Sequence, residues 1–296
     1  MPDIRSLEVF YWTAQLRSFR GAAERLNTSQ PAISQRVAAL EAELGVRLFE
    51  RRAGAVALTA KGRELVPFAE RFLRLRTEMV AAIADPGSLS GVLRLGVSET
   101  IVHTWLMRFI ERMNATYPHV TLEITVDVSP NMRDALTSRE LDLAFLVGPI
   151  VTPSLVSRPL CTYPLAWIAA PTLDLGPEPV TLAALNRHPI ITYPKNTSPH
   201  VQLRELLARS GLPPPRLYGN TSLSTIVRMT LERIGVCVIP PEVVRAELGA
   251  GRLRVVPAEA GLPDLSFTAT YAVDPADALV ERTARLACEV AAEVQA

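Results

Sequence analysis

The sequence contains few of the residues from which enzymes and metal sites are usually built. Its 296 residues include 4 histidines and 3 cysteines. Cys161, Cys237 and Cys288 are too widely separated for a disulfide framework or a zinc site. Neither a G-x-S-x-G, Walker, G-x-G-x-x-G nor H-E-x-x-H motif occurs. The sequence therefore predicts no metal, no cofactor and no enzymatic activity.

Long apolar runs are also missing. No run approaches the ~20 residues that a membrane-spanning helix requires. The N-terminus is acidic and amphipathic at its start and does not have the pattern of a signal peptide. These two observations predict a cytoplasmic protein that does not associate with a membrane.

The net charge of +1 is low for a protein that binds nucleic acid, but its distribution is uneven. Residues 1–63 contain ten arginines and lysines against six aspartates and glutamates, a local charge of +4 that leaves −3 for the remainder. A basic N-terminal region on a slightly acidic body is typical of a DNA-binding domain joined to a sensing domain.

The pattern in residues 18–45 predicts two short helices joined by a tight polar turn. Apolar residues of the second helix recur at spacings of four, three and four: Ile33, Val37, Leu40 and Leu44. In the turn, Thr28 or Ser29 can cap the second helix, and Pro31 suits its first turn. Small alanines at the crossing of two helices and a capped turn are typical of a helix-turn-helix.

Polar side chains of the second helix and its start are suited to base edges and phosphates in a major groove. The candidate DNA contacts there are Ser29, Gln30, Pro31, Ser34, Gln35 and Arg36. Arg36 can bind guanine in a bidentate manner or bind a phosphate. The alternative for Arg36 is a solvated helix face, and the alternative for Ser29 is a helix cap with no DNA contact.

The segments on either side complete a small domain. A helical stripe of Leu7, Phe10, Tyr11 and Ala14 predicts a third helix before the helix-turn-helix. Residues 46–58 predict a short β-hairpin, or wing, in which Arg51 and Arg52 can reach phosphate or a minor groove. The alternative for this hairpin is an exposed turn whose charges maintain solubility.

A long helix is predicted after Thr59, which can cap it. Its apolar residues form a seam long enough for a helix pair between two chains: Leu65, Phe68, Phe72, Leu75, Met79 and Ile83. Pro67 conflicts with this helix, since an internal proline costs ~3 kcal/mol unless the helix bends. Pro86-Gly87-Ser88 indicates a linker.

From Gly91 onward, strands alternate with helices, which predicts an α/β fold with parallel strands. Such sheets bind ligands at the carboxyl ends of their strands. Ser98-Glu99-Thr100 follows the first of these strands and opens a helix, so its hydroxyls and free N–H groups predict an anion site.

The sequence resembles LysR-type transcriptional regulators over nearly its whole length. The most specific residues lie in the first sixty: Leu7, Phe10, Ser18-Phe19, Ala22-Ala23, Leu26, Ser29-Gln30-Pro31-Ala32-Ile33-Ser34, Leu40-Glu41, Leu44-Gly45, Leu48-Phe49, Arg51 and Leu58-Thr59. The later part resembles the family more loosely: Leu93-Arg94-Leu95-Gly96, Tyr117-Pro118, Leu141-Asp142-Leu143-Ala144, His188-Pro189-Ile190 and 235–240.

This resemblance implies a domain plan. Residues 1–58 would form a winged helix-turn-helix, residues 59–87 a linker and dimerisation helix, and residues 88–296 an effector domain of the periplasmic-binding-protein type. Lobe I would comprise about 91–161 and 267–296, and lobe II about 162–266. Such regulators usually act as a dimer of dimers on double-stranded promoter DNA, with RNA polymerase as a further partner.

The resemblance also implies that a small-molecule effector binds between the lobes. Thr100 aligns best with effector contacts of the family, and Ser129 is its partner after the second strand. The candidate contacts are Ser98, Glu99, Thr100, His103, Ser129, Lys195, Asn196, Thr197, Ser198 and Thr221. Hydroxyls and helix ends favour a small carboxylate or similar anion, with His103, Lys195 and His200 as candidates for positive charge. Caps and turns are the alternative explanation for each serine and threonine.

Three other functions compete with an effector-responsive regulator. A redox-sensing regulator of the same fold would need a reactive thiolate with a partner. A solute-binding protein would suit the α/β body, but the missing export signal and the basic helical N-terminus count against it. An enzyme would need a catalytic motif.

Overall fold

The computed structural model describes residues 3–52, 55–83, 89–150, 152, 154–209, 211–272 and 278–295. They fall into two compact units, an N-terminal unit almost entirely within residues 1–85 and a C-terminal unit within residues 86–296. No helix in these described ranges combines the length and the apolar composition needed to cross a membrane.

The N-terminal unit begins with the three helices that the sequence predicts: α1 (Ile4–Leu16), α2 (Phe19–Arg25) and α3 (Gln30–Leu44). Their apolar faces meet in one core around Phe10, Ile33 and Val37. Each helix starts at a side-chain cap, because the oxygens of Asp3, Ser18 and Ser29 accept backbone N–H groups of the first turn. Gly45 ends α3 at a φ of +68°, a left-handed conformation that glycine adopts without strain.

The predicted wing is an antiparallel hairpin of β1 (Phe49–Arg52) and β2 (Ala55–Leu58). The hairpin is joined to α3 by buried Glu41, whose carboxylate accepts the N–H groups of Leu48 at 2.6 Å and Phe49 at 3.1 Å. Phe49 of the wing also contacts the rings of Phe10 and Phe19, so the carboxylate and aromatic packing together position the wing relative to the helices. Residues 53 and 54 at the tip, and the side chains of Arg51 and Arg52, lie outside the described part.

Helix α4 (Ala60–Ile83) continues through Pro67. Thr59 caps it by accepting the Gly62 N–H at 3.0 Å, as expected. Apolar residues on both sides of Pro67, among them Leu65 and Leu73, pack on the core of the N-terminal unit, and this packing offsets the lost backbone hydrogen bond. Of the predicted seam, Phe68, Phe72, Leu75 and Met79 are 53–60% exposed, and the side chain of Ile83 lies outside the described residues.

The C-terminal unit consists of two five-stranded sheets with helices. The strands are β3 (Ser90–Val97), β4 (His119–Val126), β5 (Leu143–Val147), β6 (Leu155–Pro164), β7 (Ala166–Ala169), β8 (Ile190–Thr192), β9 (Leu217–Gly219), β10 (Val236–Ile239), β11 (Arg254–Val255) and β12 (Asp264–Ala272). The helices are α5 (Glu99–Thr104), α6 (Leu106–Thr116), α7 (Ser129–Thr137), α8 (Leu182–Leu185), α9 (Ser198–Ala208), α10 (Leu223–Leu231), α11 (Arg245–Gly249) and α12 (Ala278–Gln295), with a 3-10 turn at Pro241–Val244.

We call the sheet ordered β4-β3-β5-β12-β6 lobe I and the sheet ordered β11-β7-β10-β8-β9 lobe II. The expectation of parallel strands is right for β3, which pairs in parallel with β4 and β5, and for β8, which pairs in parallel with β9 and β10. It is wrong for β6, β7, β11 and β12, which pair antiparallel. Parallel neighbours are joined by a crossover connection, usually a helix, whereas β6 passes directly from lobe I into β7 of lobe II, and β12 returns from lobe II to lobe I.

Aromatic side chains form the centre of lobe I. Trp105, Phe109 and Phe145 are fully buried, and their ring centroids lie 5.1–6.4 Å apart. Aromatic contacts of this kind add to the stability gained from apolar burial. They hold α5 and α6 on the sheet, and the first residues of α5 line a cavity between the two lobes.

Candidate functional site

The exposed face of α3 is the candidate nucleic-acid surface of the N-terminal unit. Ile33, Val37 and Leu40 are buried, and Gln35 is exposed on the face opposite them, as the helical period requires. Gln30 is exposed at the start of the helix, and its amide lies 3.4 Å from the Ser34 hydroxyl. Gln30, Ser34 and Gln35 thus present amide and hydroxyl groups on one accessible surface.

Arg36 does not lie on this opposite face, which corrects its expected position. It follows Ile33 by three residues and precedes Leu40 by four, so it borders the buried stripe. Its guanidinium lies 3.5 Å from Asp3 at the start of α1. A cavity beside it is also lined by Arg5 and Arg76, so several cations lie near the N-terminus of α1.

A second candidate site is a cavity of about 730 Å³ between the two lobes of the C-terminal unit. Four helices line it with their first residues: α5 and α7, which follow β3 and β4 of lobe I, and α9 and α10, which follow β8 and β9 of lobe II. The carboxyl ends of parallel strands meet at one edge of each sheet. Because these edges of the two sheets face each other across the cavity, the four helix starts lie around one space.

The starts of α7 and α9 are suited to an anionic ligand. Within the described residues, their N-cap residues Val128 and Thr197 make no side-chain cap bond. The Thr197 hydroxyl donates instead to Pro194 O at 2.6 Å. Backbone N–H groups and the positive end of each helix dipole therefore face the cavity.

Two hydrogen bonds join the lobes across this cavity. The hydroxyls of Thr100 and Tyr193 lie 3.1 Å apart, and burial raises the pKa of Tyr193, so its phenol remains protonated. The Leu223 N–H at the start of α10 donates to Glu99 Oε2 at 2.5 Å. Both lobe I residues belong to the first turn of α5.

The lining is only weakly charged. Its charged members, among the described residues, are Glu99, Asp127 and Arg133. Asp127 accepts the Val128 N–H at 2.7 Å, and the guanidinium of Arg133 lies 2.9 Å from Asp134. Among the described residues, the lining therefore has a carboxylate at the start of α7 and no cationic side chain that lacks an acidic partner.

The structure brings seven of the ten predicted effector contacts together in the lining: Ser98, Glu99, Thr100, Ser129, Thr197, Ser198 and Thr221. Lys195 and Asn196 are exposed and are not among the lining residues. His103 lies one helical turn beyond Glu99 and lines a different cavity with Glu242 and Arg245. His200 is buried, with Nδ1 2.9 Å from Tyr193 O, so none of the three predicted cations is among the lining residues.

Sequence reasoning missed several residues of this site. Tyr193-Pro194 follows β8, so the rule that placed Ser98-Glu99-Thr100 after β3 would also have found it. Arg133 and Phe267 also line the cavity, but they come from the second turn of α7 and from the middle of the unit's last strand. No local pattern marks either of them.

The cysteines do not form a reactive centre. Cys161 and Cys237 are buried and reduced, and burial raises the pKa of the Cys161 thiol to about 11 and that of Cys237 to about 12. Burial also raises the pKa of Cys288. At neutral pH, these thiols contain little of the thiolate that reacts with oxidants. Within the described residues, no group of three or more histidine, cysteine, aspartate or glutamate side chains could hold a metal ion.

Both units match known families. Residues 4–63 match the family described as "Bacterial regulatory helix-turn-helix protein, lysR family". Residues 86–295 match the family described as "LysR substrate binding domain". The two matches cover most of the chain and fall on the two units separately.

The similar proteins are regulators of transcription. The chain is 27% identical to the HTH-type transcriptional regulator GltR of Bacillus subtilis (strain 168), over 85% of this chain and 84% of GltR. It is 31% identical to a probable hydrogen peroxide-inducible genes activator of Mycobacterium avium, over 85% of this chain and 82% of that protein. The fold resembles a hydrogen peroxide-bound mutant of Corynebacterium glutamicum OxyR, with a TM-score of 0.58 at 24% identity over 99% of this chain and 94% of that chain.

Proposed function

Because the chain belongs to the LysR family of bacterial transcriptional regulators, we propose that α3 reads promoter DNA and that the cavity between the lobes binds a small anionic effector. The protein is a DNA-binding transcriptional regulator with an effector-binding domain. The observation that best supports the effector proposal is the convergence of four helix starts on one cavity. We assign it no catalytic role.

For DNA binding, the main support is the exposed polar face of α3. Gln35 lies opposite the buried stripe, where a helix in a major groove presents side chains to base edges. Gln30, Pro31, Ser34 and Ser29 lie towards its N-terminus, and Arg36 flanks this face close enough for a phosphate. Arg51 and Arg52 of the wing are proposed to contact the backbone or a minor groove. We propose that the protein acts in the cytoplasm, where promoter DNA is found.

The full chain and a duplex of its own upstream region provide the direct test. Fluorescence anisotropy should show specific binding that weakens linearly in log–log form as salt is raised, because phosphate contacts release counterions. A duplex of the same length and composition in scrambled order is the matched control. Equal affinity for the two duplexes, or no binding at low salt, would contradict the proposed function.

For the effector, a small carboxylate or a similar anion is proposed. Its negative group would lie at the open start of α9, with hydroxyls of Thr100, Ser129, Ser198 and Thr221 as further partners. The apolar part would contact residues such as Val126 and Phe267. Lys195 and Asn196 could contribute by moving towards the cavity when it is occupied.

A thermal-shift screen of the full chain against small organic acids tests this class of effector. A ligand at a hundredfold excess over its Kd stabilises the folded state by ~2.7 kcal/mol, which raises the transition temperature. The matched control is the amide of each acid, which has the same shape but no charge. Amides that stabilise as well as acids would remove the anionic requirement.

Residues 59–87 are proposed to join two chains through α4. Phe68, Phe72, Leu75 and Met79 recur at spacings of four, three and four and are exposed in the single chain, which is the pattern of a two-stranded seam. We propose a dimer of dimers, with RNA polymerase as a further partner. Light scattering should give a dimer or tetramer, and Phe72→Asp should shift the mass towards the monomer.

The relative from Mycobacterium avium is named as a probable hydrogen peroxide-inducible genes activator, and OxyR shares the fold. We do not extend this role to the present chain. Cys161 and Cys237 are buried with raised pKa values, whereas a redox sensor requires an accessible thiolate.

A further inference from the structure

Glu99 makes a contact that the proposed effector site does not require. Helix α5 of lobe I places its carboxylate at the start of α10 in lobe II, where Oε2 accepts the Leu223 N–H at 2.5 Å. The Ser222 hydroxyl accepts the next free amide of that turn, from Thr225. The first turn of α10 is therefore capped partly by its own lobe and partly by the other.

A carboxylate at this position is held more strongly than a neutral acceptor. A helix start has a partial positive charge, and hydrogen bonds to a charged acceptor are about twice as strong as neutral ones. The Glu99 side chain is 21% exposed, and its Oε1 lies 3.7 Å from His103 Nε2 on the outer side of α5. Glu99 is thus held between a helix start of lobe II and an imidazole of its own helix.

The contact distinguishes α10 from the other two long helices that begin at the cavity. The start of α9 has no side-chain cap. At α7 a carboxylate of the same lobe, Asp127, accepts the N-cap amide of Val128, whereas at α10 a carboxylate of the opposite lobe accepts the first helical amide. This inference rests on the proposed effector cavity, and we propose that Glu99 is the specificity-determining residue of that cavity. Its carboxylate occupies the start of α10, excludes a second anion from that start and, with Asp127 already at the start of α7, directs the effector's negative group to α9.

The same hydrogen bond also joins the two lobes. Glu99 and the adjacent Thr100 are the first two residues of α5, and both bond across the cavity, to Leu223 and to Tyr193. Separation of the lobes would break both bonds together. An effector that separates the lobes therefore has to break the hydrogen bonds of both Glu99 and Thr100.

Hydrogen exchange of the Leu223 amide in the full chain tests the contact directly. Glu99→Ala should increase the exchange rate at this amide by roughly tenfold or more, because a charge-assisted hydrogen bond is lost. Glu99→Gln, which keeps an oxygen acceptor but no charge, should cause a smaller increase. Glu111→Ala, an exposed acid on α6 of the same lobe, is the matched control and should cause no change.

Inorganic sulfate tests the exclusion of a second anion. At constant ionic strength, sulfate should slow exchange at Leu223 in Glu99→Ala and leave the wild-type rate unchanged. Glu99→Gln serves the same purpose if Glu99→Ala does not fold. An unchanged Leu223 rate in Glu99→Ala without sulfate, equal protection by sulfate in wild type and variant, or no protection in either would overturn the proposal.

These outcomes are separate from those that test the proposed function. The measurement follows one backbone amide and requires neither DNA nor the natural effector. A chain that failed to bind its upstream DNA would leave the Glu99 result intact. Conversely, a Leu223 amide that is not hydrogen-bonded to Glu99 would leave α3 as the candidate DNA-reading helix.

Discussion

The two candidate sites are built in opposite ways. The candidate DNA-reading surface is the outward face of one 15-residue helix, so its members are fixed by the helical period and lie close together in sequence. The effector cavity takes residues from Ser98 to Phe267, and only the sheet topology brings them together. The first site depends on a local pattern, whereas the second depends on the correct assembly of a whole unit.

This difference predicts that core damage in the C-terminal unit leaves the N-terminal unit folded. Phe109→Ala should lower the free energy of unfolding of the C-terminal unit by about 3–5 kcal/mol, because Phe109 is fully buried between Trp105 and Phe145. Urea unfolding followed by peptide-resolved hydrogen exchange would report each unit separately. Met107→Ala on the same helix, where Met107 is exposed, should change stability by less than about 0.5 kcal/mol. Equal shifts in both units would show that they unfold as one.

The stability of the N-terminal unit depends in part on the contact between Glu41 of α3 and the wing. Glu41→Ala should lower the stability of that unit by about 2–3 kcal/mol, because the N–H groups of Leu48 and Phe49 lose a charged acceptor. DNA affinity should fall with it, since the wing is no longer fixed to α3. Glu41→Gln retains an acceptor oxygen and should be milder in both measurements. Unaltered urea unfolding of Glu41→Ala would show that the wing is held by other contacts.

The outward face of α3 can be tested without affecting stability. Gln35→Ala should weaken specific DNA binding by about 1–3 kcal/mol, the usual contribution of one base contact, while urea unfolding stays unchanged. Arg36→Ala should also weaken specific binding, but it removes the ion pair with Asp3 as well. Asp3→Asn separates these two effects, because it releases Arg36 without removing it. If Gln35→Ala bound the operator like wild type, the proposed reading face would be wrong.

The sequence predicted the N-terminal unit better than the C-terminal unit for a physical reason. Caps at Ser29 and Thr59 and the stripe of Ile33, Val37 and Leu40 are local, so spacing reveals them. The side of the helix on which Arg36 lies was misjudged because it borders the stripe. In the C-terminal unit, the expectation that ligands bind at the carboxyl ends of strands agrees with the positions of Ser98-Glu99-Thr100 and Ser129.

What the sequence could not reveal depends on pairings between distant strands. The antiparallel placement of β12 follows from its return to lobe I after the chain has built lobe II, and that path leaves no periodic signal. The bond between Glu99 and the Leu223 amide spans 124 residues and involves a backbone group. Such a contact can be found only once both lobes are in place.

The substitution with the smallest expected free-energy effect is at Thr100, and it tests whether the cavity transmits a signal. Thr100→Val keeps the shape of the side chain but removes the hydroxyl 3.1 Å from Tyr193, so the C-terminal unit should lose about 1 kcal/mol of stability. DNA affinity without effector should be unchanged, because α3 lies in the other unit, but the change in DNA binding on adding effector should disappear. Thr104→Val, one turn further along α5, is the matched control, since its hydroxyl donates to Thr100 O within its own helix. A normal transcriptional response in Thr100→Val would show that the cavity between the lobes does not control the DNA-reading helix.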